Sequence, residues 1–170
     1  EKETLELLAS GPYPCRNPAQ NIADLEAQIA ANSTGIHEVM KMIEHFGLSV
    51  VQAYMQHVQD NAEESVRRVL DKLSSGGFVY PMDNGCKIKV RIDVNKKARE
   101  ATIDFTGTSP QYEGNYNAPS AVCLAAVLYV FRCLVGDEIP LNEGCLKPLK
   151  VIIPPKSILS PEYPAAVIAG

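Results

Sequence analysis

The sequence predicts an α+β fold: a long helical hairpin, then a small antiparallel sheet, then a buried apolar helix. Three observations carry this. Apolar residues recur at helical spacing over about residues 17–75. Between Cys86 and Phe105 the period drops to two, the signature of half-buried strands. From Ala118 to Val135 the chain is apolar except for Ser120 and Arg132.

Each element has local support. Glu1 to Leu8 reads as a short helix or frayed tail, broken by Gly11, Pro12 and Pro14. Asn17-Pro18 then starts a helix, since Asn can cap free amides and Pro suits the first helical position. Ile22, Leu25, Ile29, Ile36, Val39, Ile43 and Phe46 alternate in steps of three and four if Asn32 fills the gap. That is a heptad seam, facing either its own domain or another subunit. Gly47 is the expected C-cap. Ser49, with Gln52 at the capping-box position, predicts the next helix start. The expected apolar side of this helix carries Val50, Ala53, Tyr54, His57, Val58, Asn61, Val69 and Leu73, closed by Ser74-Ser-Gly-Gly77.

An edge strand is expected over Phe78–Met82, because Pro81 cannot donate to an inner ladder. Asp83-Asn-Gly85 is a turn signal. Cys86, Ile88, Val90, Ile92 and Val94 alternate with charged residues in the next strand, and Ala101, Ile103 and Phe105 alternate in a third. A polar loop follows, and Asn117 and Pro119 open the apolar helix that Gly136 stops. At 18 residues that run falls short of a bilayer span of roughly 20, and its flanks suit a soluble core helix. Ile139-Pro-Leu141, a turn at Asn142-Glu-Gly144 and a short strand over Leu149–Ile153 complete the pattern.

A length of 170 residues fits one domain over 1–170, divided into a hairpin at about 17–75 and a sheet with its helix at about 78–170. The chain starts at Glu1 without Met and ends within Ala165-Ala-Val-Ile-Ala-Gly170, so an interior fragment of a longer protein is expected. The net charge of −4 with no basic block argues against nucleic acid and acidic membrane partners. Five cysteines, an odd number without C-x-x-C spacing, argue against a disulfide framework or zinc site and for reduced thiols in the cytoplasm. Asn32-Ser33-Thr34 matches a glycosylation acceptor, but nothing else in the chain reads as secreted.

Candidate chemistry is sparse. There is no phosphate-binding loop, G-x-G-x-x-G, H-E-x-x-H or G-x-S-x-G. His37 and His45 fall on the solvent side of the first long helix. His57 and Asn61 lie one turn apart, so they share a face. Either His57 is a core histidine satisfied by its neighbours, or it touches substrate or partner. The stretch Asp104-Phe-Thr-Gly-Thr-Ser109, followed by Asn115 and Asn117, concentrates polar groups before a helix. Asp104, Thr106 and Ser109 can hold turns together or rim a cleft, and Asn117 is most simply an N-cap. No residue here is assigned as base or nucleophile.

Four blocks together resemble the hydantoinase B/oxoprolinase family. They are Arg16-Asn-Pro-Ala-Gln-Asn-Ile-Ala-Asp-Leu-Glu, Val50-Val-Gln-Ala-Tyr-Met-Gln-His-Val-Gln-Asp-Asn, Asp104-Phe-Thr-Gly-Thr-Ser109 with Asn117-Ala-Pro119, and Ile139-Pro-Leu-Asn-Glu-Gly-Cys145. The blocks run in the family's order over nearly the whole chain. The resemblance implies part of an ATP-dependent hydrolase that opens 5-oxoproline or hydantoin rings. It implies a hydantoinase A-type subunit or domain as partner and a small cyclic amide as substrate. ATP and a divalent metal are implied for the complete enzyme, with neither bound by this segment. A subunit-joining scaffold and part of an ATP-dependent ketone carboxylase alpha-type subunit are the alternatives. On this reading His57, Asn61, Asp104, Thr106, Ser109, Asn115 and Asn117 line a substrate cleft, the seam favours an oligomer, and the isolated segment is inactive.

Overall fold

A computed structural model describes residues 2–136 and 142–170. The Ile139-Pro-Leu141 segment, and with it part of the fourth family block, lies outside the described residues. The elements are α1 (Lys2–Ala9), α2 (Pro18–Phe46), α3 (Leu48–Lys72), β1 (Gly76–Pro81), β2 (Lys87–Asn95), β3 (Glu100–Asp104), α4 (Ser120–Val135), a short 3-10 helix (Glu143–Leu146) and β4 (Leu149–Ile152). The fold class is α+β, as expected. The chain divides into two compact units, Glu1–Tyr54 and Met55–Gly170. The division falls inside α3, not near residue 75.

In the first unit α1 packs on the much longer α2. Asn17 caps α2 as its sequence predicts: its side-chain oxygen accepts the Gln20 N–H at 3.3 Å, with Pro18 in the first turn. At the other end the Gly47 N–H donates to the Ile43 carbonyl at 2.8 Å with φ at +84°, a left-handed backbone that glycine adopts without strain. A single residue thus separates α2 from α3, so Ser49 lies within the first turn of α3 and is not its cap. No residue of α2 is buried.

The second unit is built on a four-stranded sheet in the order β1-β2-β3-β4. The first three strands form the expected antiparallel meander, with β1 on the edge where Pro81 is tolerated. Asp83-Asn-Gly85 makes the turn between β1 and β2: the Gly85 N–H reaches the Met82 carbonyl at 3.0 Å with φ at +82°. The sheet is not purely antiparallel, because β4 pairs parallel to β3, from Ala101 opposite Leu149 to Asp104 opposite Ile152. Parallel neighbours need a long crossover, and the chain between β3 and β4 supplies one containing α4.

Direct partners such as Ile92 and Ile103 share one face of the sheet, while Arg91 and Asp104 share the other. The inner face packs against two helices. From α3 come Ala62, Val66 and Leu70, and from α4 come Cys123, Val127 and Phe131. Both sets advance by four residues, one turn at a time, so each helix contributes one stripe. Two expectations change here. The buried stripe of α3 is not the face carrying His57 and Asn61, both of which are exposed. The apolar helix is buried on one face only, since Val122, Tyr129, Val130 and Leu134 are exposed. Its C-terminus matches expectation, with Gly136 left-handed at φ +66°.

Candidate functional site

The polar loop after β3 is built from hydroxyl and amide groups turned back on the backbone. The Asp104 carboxylate accepts the Thr106 N–H at 2.8 Å. The Thr106 side chain and this N–H, aided by the nearby Lys89 charge, hold the Asp104 carboxyl below the usual aspartate range. Gly107 lets the chain reverse here. Its φ is +93°, and a Cβ would meet the Lys89 side chain at 2.9 Å. Lys89 therefore lies over the turn, next to Asp104 and the exposed Thr106. In the sequence Lys89 reads only as an outward charge of β2; the alternation gives its face but not its neighbour.

Beyond the turn the chain takes over from β3 as the neighbour of β2. The buried Thr108 hydroxyl accepts the Lys89 N–H and donates to the Lys89 carbonyl, both at 3.1 Å. The Ser109 hydroxyl accepts the Lys87 N–H at 2.9 Å, and the Ser109 N–H donates to the Lys87 carbonyl at the same distance. Ser109 is partly buried and engaged in this stitch.

Asn117 is not the cap of α4. That helix starts at Ser120 behind Pro119, with no side-chain cap. Asn117 is fully buried instead. Its amide oxygen accepts the Tyr112 N–H at 2.7 Å. Its amide nitrogen donates to the carbonyls of Tyr112 (2.9 Å), Gly114 (3.1 Å) and Ala166 (2.9 Å). Its hydrogen-bonding capacity is thus spent on closing the 112–117 loop and tying it to the C-terminal segment. The Asn115 carbonyl is held by the Ala169 N–H at 2.9 Å, while its side chain is exposed.

His57 and Asn61 belong to a different corner. The Asp60 carboxylate accepts from the Gln56 amide at 2.6 Å and lies 3.4 Å from the Lys147 ammonium. The Gln56 hydrogen bond, helped by Lys147 and by the charge of His57, holds the Asp60 carboxyl below its usual range. Glu63 approaches the same Lys147 at 3.6 Å. The Asn142 amide donates to the Val58 carbonyl at 3.4 Å, and a Cβ on Gly144 would collide with the Gln59 carbonyl. These contacts pack the 3-10 helix closely on α3.

The two corners lie at opposite ends of β3. The Ala101 N–H bonds the Pro148 carbonyl at 3.0 Å, which places the Lys147 corner at the start of β3; the polar loop leaves from its end. Three residues at about 3.3 Å each put roughly 10 Å between the two ends. The structure therefore joins Asp104, Thr106 and Ser109 with Lys89, and places His57 and Asn61 with Asp60 and Lys147. A polar concavity of about 270 Å³ lies at the second end, lined by Asp93, Glu100, Thr102, Lys147 and Lys150 among others. None of those five stands out in the sequence, because it takes β4 beside β3 to bring them together.

Comparison with known proteins gives this arrangement its context. The family model for hydantoinase B/oxoprolinase matches residues 1–170. The chain belongs to the hydantoinase B/oxoprolinase family. A 5-oxoprolinase of Dictyostelium discoideum is 43% identical over 164 residues, covering 91% of this chain and 13% of that protein. The 5-oxoprolinase 1 of Arabidopsis thaliana is 46% identical over 171 residues, covering 91% of this chain and 14% of that protein. The 5-oxoprolinase of Saccharomyces cerevisiae is 42% identical over 170 residues, with 94% of this chain and 13% of that protein covered. The chain thus spans about one-seventh of the 5-oxoprolinases it matches. An ATP-dependent caprolactamase from Pseudomonas jessenii shares the fold at a TM-score of 0.70 and 18% identity, over 100% of this chain and 30% of that one.

The groups this family implies can be set against the residues present. Among the described residues no three His, Cys, Asp or Glu side chains stand together as a metal-holding group. The turn before α4 ends in Pro119 and lacks the run of glycines that brings backbone amides against phosphate. The described residues fit neither group. Among them, no helix is long and apolar enough to cross a membrane.

Proposed function

We propose that these residues form part of an ATP-dependent cyclic-amide hydrolase that opens the ring of 5-oxoproline or a hydantoin. The observation that carries this reading is identity of 43–46% to two 5-oxoprolinases over 91% of the chain. The nucleotide and metal belong to other parts of the complete enzyme, including a hydantoinase A-type subunit or domain.

In this reading the chain supplies one wall of the substrate cleft. Asp104, Thr106, Ser109 and Asn115 present polar groups from a loop that Asn117 holds in shape. Asp104 stays ionised over the working pH range because Thr106 donates to it. A fixed anion beside the Lys89 ammonium can orient the N–H and carbonyl of a small polar ring. His57 and Asn61, at the far end of β3, serve a second wall or the contact with the A-type partner.

The test uses the complete enzyme carrying Asp104→Ala or His57→Ala, with substrate-dependent ATP hydrolysis and ring-opened product measured together. The cleft reading expects Asp104→Ala to lose about tenfold or more in turnover, roughly one lost charge-assisted hydrogen bond, with assembly intact. A complex that turns over normally, or one that fails to assemble, overturns it. The second outcome would favour a subunit-joining scaffold, which the wholly unburied α2 supports. Product analysis with and without bicarbonate separates hydrolase from carboxylase.

A further inference from the structure

The first unit cannot stabilise itself. It spans 54 residues, yet Val51 is its one buried hydrophobic residue among those described. Its main element, α2, has 29 residues and so runs for about 43 Å at 1.5 Å per residue. Along it the apolar seam stays open from Leu25 onward. Ile29 is 69% exposed and Ile36 is 64% exposed, values that rule out burial by the chain itself. Such a helix needs an apolar face from elsewhere.

The register of the seam identifies what that face is. One heptad position is isoleucine four times running, at Ile22, Ile29, Ile36 and Ile43. Isoleucine there favours two parallel strands. The other position carries Leu25, Val39 and Phe46, interrupted by Asn32. Against an apolar partner the Asn32 amide would be buried without a partner, which is costly. Against the same residue of a second, parallel, in-register helix, each amide can donate to and accept from the other. A slip by one heptad would set Asn32 against Leu25 or Val39, so the in-register pairing alone satisfies it.

The flanking positions agree. In that pairing Asn21 faces Glu26, Gln28 faces Ser33 and Gly35 faces Met40 across the interface. No like charges meet, so nothing electrostatic opposes self-association.

We propose that α2 pairs with α2 of a second copy of this chain as a parallel, in-register two-stranded coiled coil, with Asn32 facing Asn32 across the two-fold axis. The proposal does not depend on which reaction the family member performs.

Sedimentation velocity on the 170-residue chain at micromolar concentration tests it. The expected mass is about 37 kDa, twice 18.5 kDa. The double variant Ile29→Asp/Ile36→Asp should return the mass to that of the monomer, whereas Lys41→Ala, off the seam, should leave the dimer unchanged. Should the double variant lose α2 altogether, an Ile29→Cys variant still decides the matter. Mild oxidation must join the two position-29 sulfurs of different copies, as peptide mapping would read. A monomeric wild type, a dimer that survives both aspartates, or no such crosslink overturns the proposal. A monomer whose seam is instead protected from hydrogen exchange by another segment of a B-type protein overturns it in favour of that occupant.

Discussion

Asn117 shows how a residue's chemistry can be read correctly and its role misplaced. Asn before Pro119 and an apolar run suggests a cap, yet the side chain is fully buried and bonds Tyr112, Gly114 and Ala166. Removing it leaves several buried backbone groups unpaired, each costing about 1–3 kcal/mol. Asn117→Ala should therefore destabilise the chain by roughly 3 kcal/mol in urea unfolding, while Asn115→Ala, at an exposed side chain, should stay within about 0.5 kcal/mol. Asp104 gives a pH prediction. Thr106 favours its ionised form, so its folded pKa lies below its unfolded one. Its contribution to stability is then present above the unfolded value and is lost as pH falls through the folded value, below the usual aspartate range. Titration by carboxyl-carbon NMR should find that depressed value in the wild type. Asp104→Asn keeps an acceptor for the Thr106 N–H and should flatten that part of the acid-unfolding curve. The Asp104–Thr106 link was legible as a turn-forming pattern. The neighbouring Lys89 was not, because only the turn at Gly107 brings the loop beneath it.

At the scale of elements, helix α3 is where periodicity and packing part. Its sequence offers two apolar stripes, one through Val50, Tyr54 and Val58 and one through Ala62, Val66 and Leu70. Hydrophobicity alone does not say which is covered. The sheet and α4 cover the second, and Leu70 is wholly buried while Val58 is 40% exposed. Leu70→Ala should cost about 3 kcal/mol and Val58→Ala less than about 1 kcal/mol by denaturant midpoint. Equal losses would mean that the buried stripe is wrongly placed. The same helix is fastened at its C-terminal end by charge. The Lys96 ammonium bonds the Leu70 and Asp71 carbonyls at 3.0 and 2.7 Å, where the helix dipole favours a cation. Arg99 reaches Glu64 and Asp71 from the same turn between β2 and β3, and the Glu64 carboxyl is held below its usual range, first by Arg99. These links span 25 to 35 residues of sequence. The residues were legible as a charged turn, but their partners were not.

On the scale of the whole molecule, the chain has a well-built core in one unit and almost none in the other. Opening a cyclic amide means overcoming amide resonance, which in this reading requires phosphoryl transfer or a strong electrophile supplied by other segments. The purified 170 residues should therefore show no substrate-dependent ATP hydrolysis and no ring opening; turnover above a heat-killed control would refute this division of labour. What the sequence determined by itself is local. It set the helix stops at Gly47 and Gly136, the Asn17 cap, the turn at Gly85, the edge position of β1 and the family. Each depends on backbone conformation or side-chain chemistry within a few residues. Tertiary structure alone decided that β4 lies parallel beside β3, that α4 buries a single face, and that the polar candidates part into corners at either end of β3. Those outcomes depend on contacts between residues far apart in the chain, and period and propensity carry no information about which distant surfaces meet.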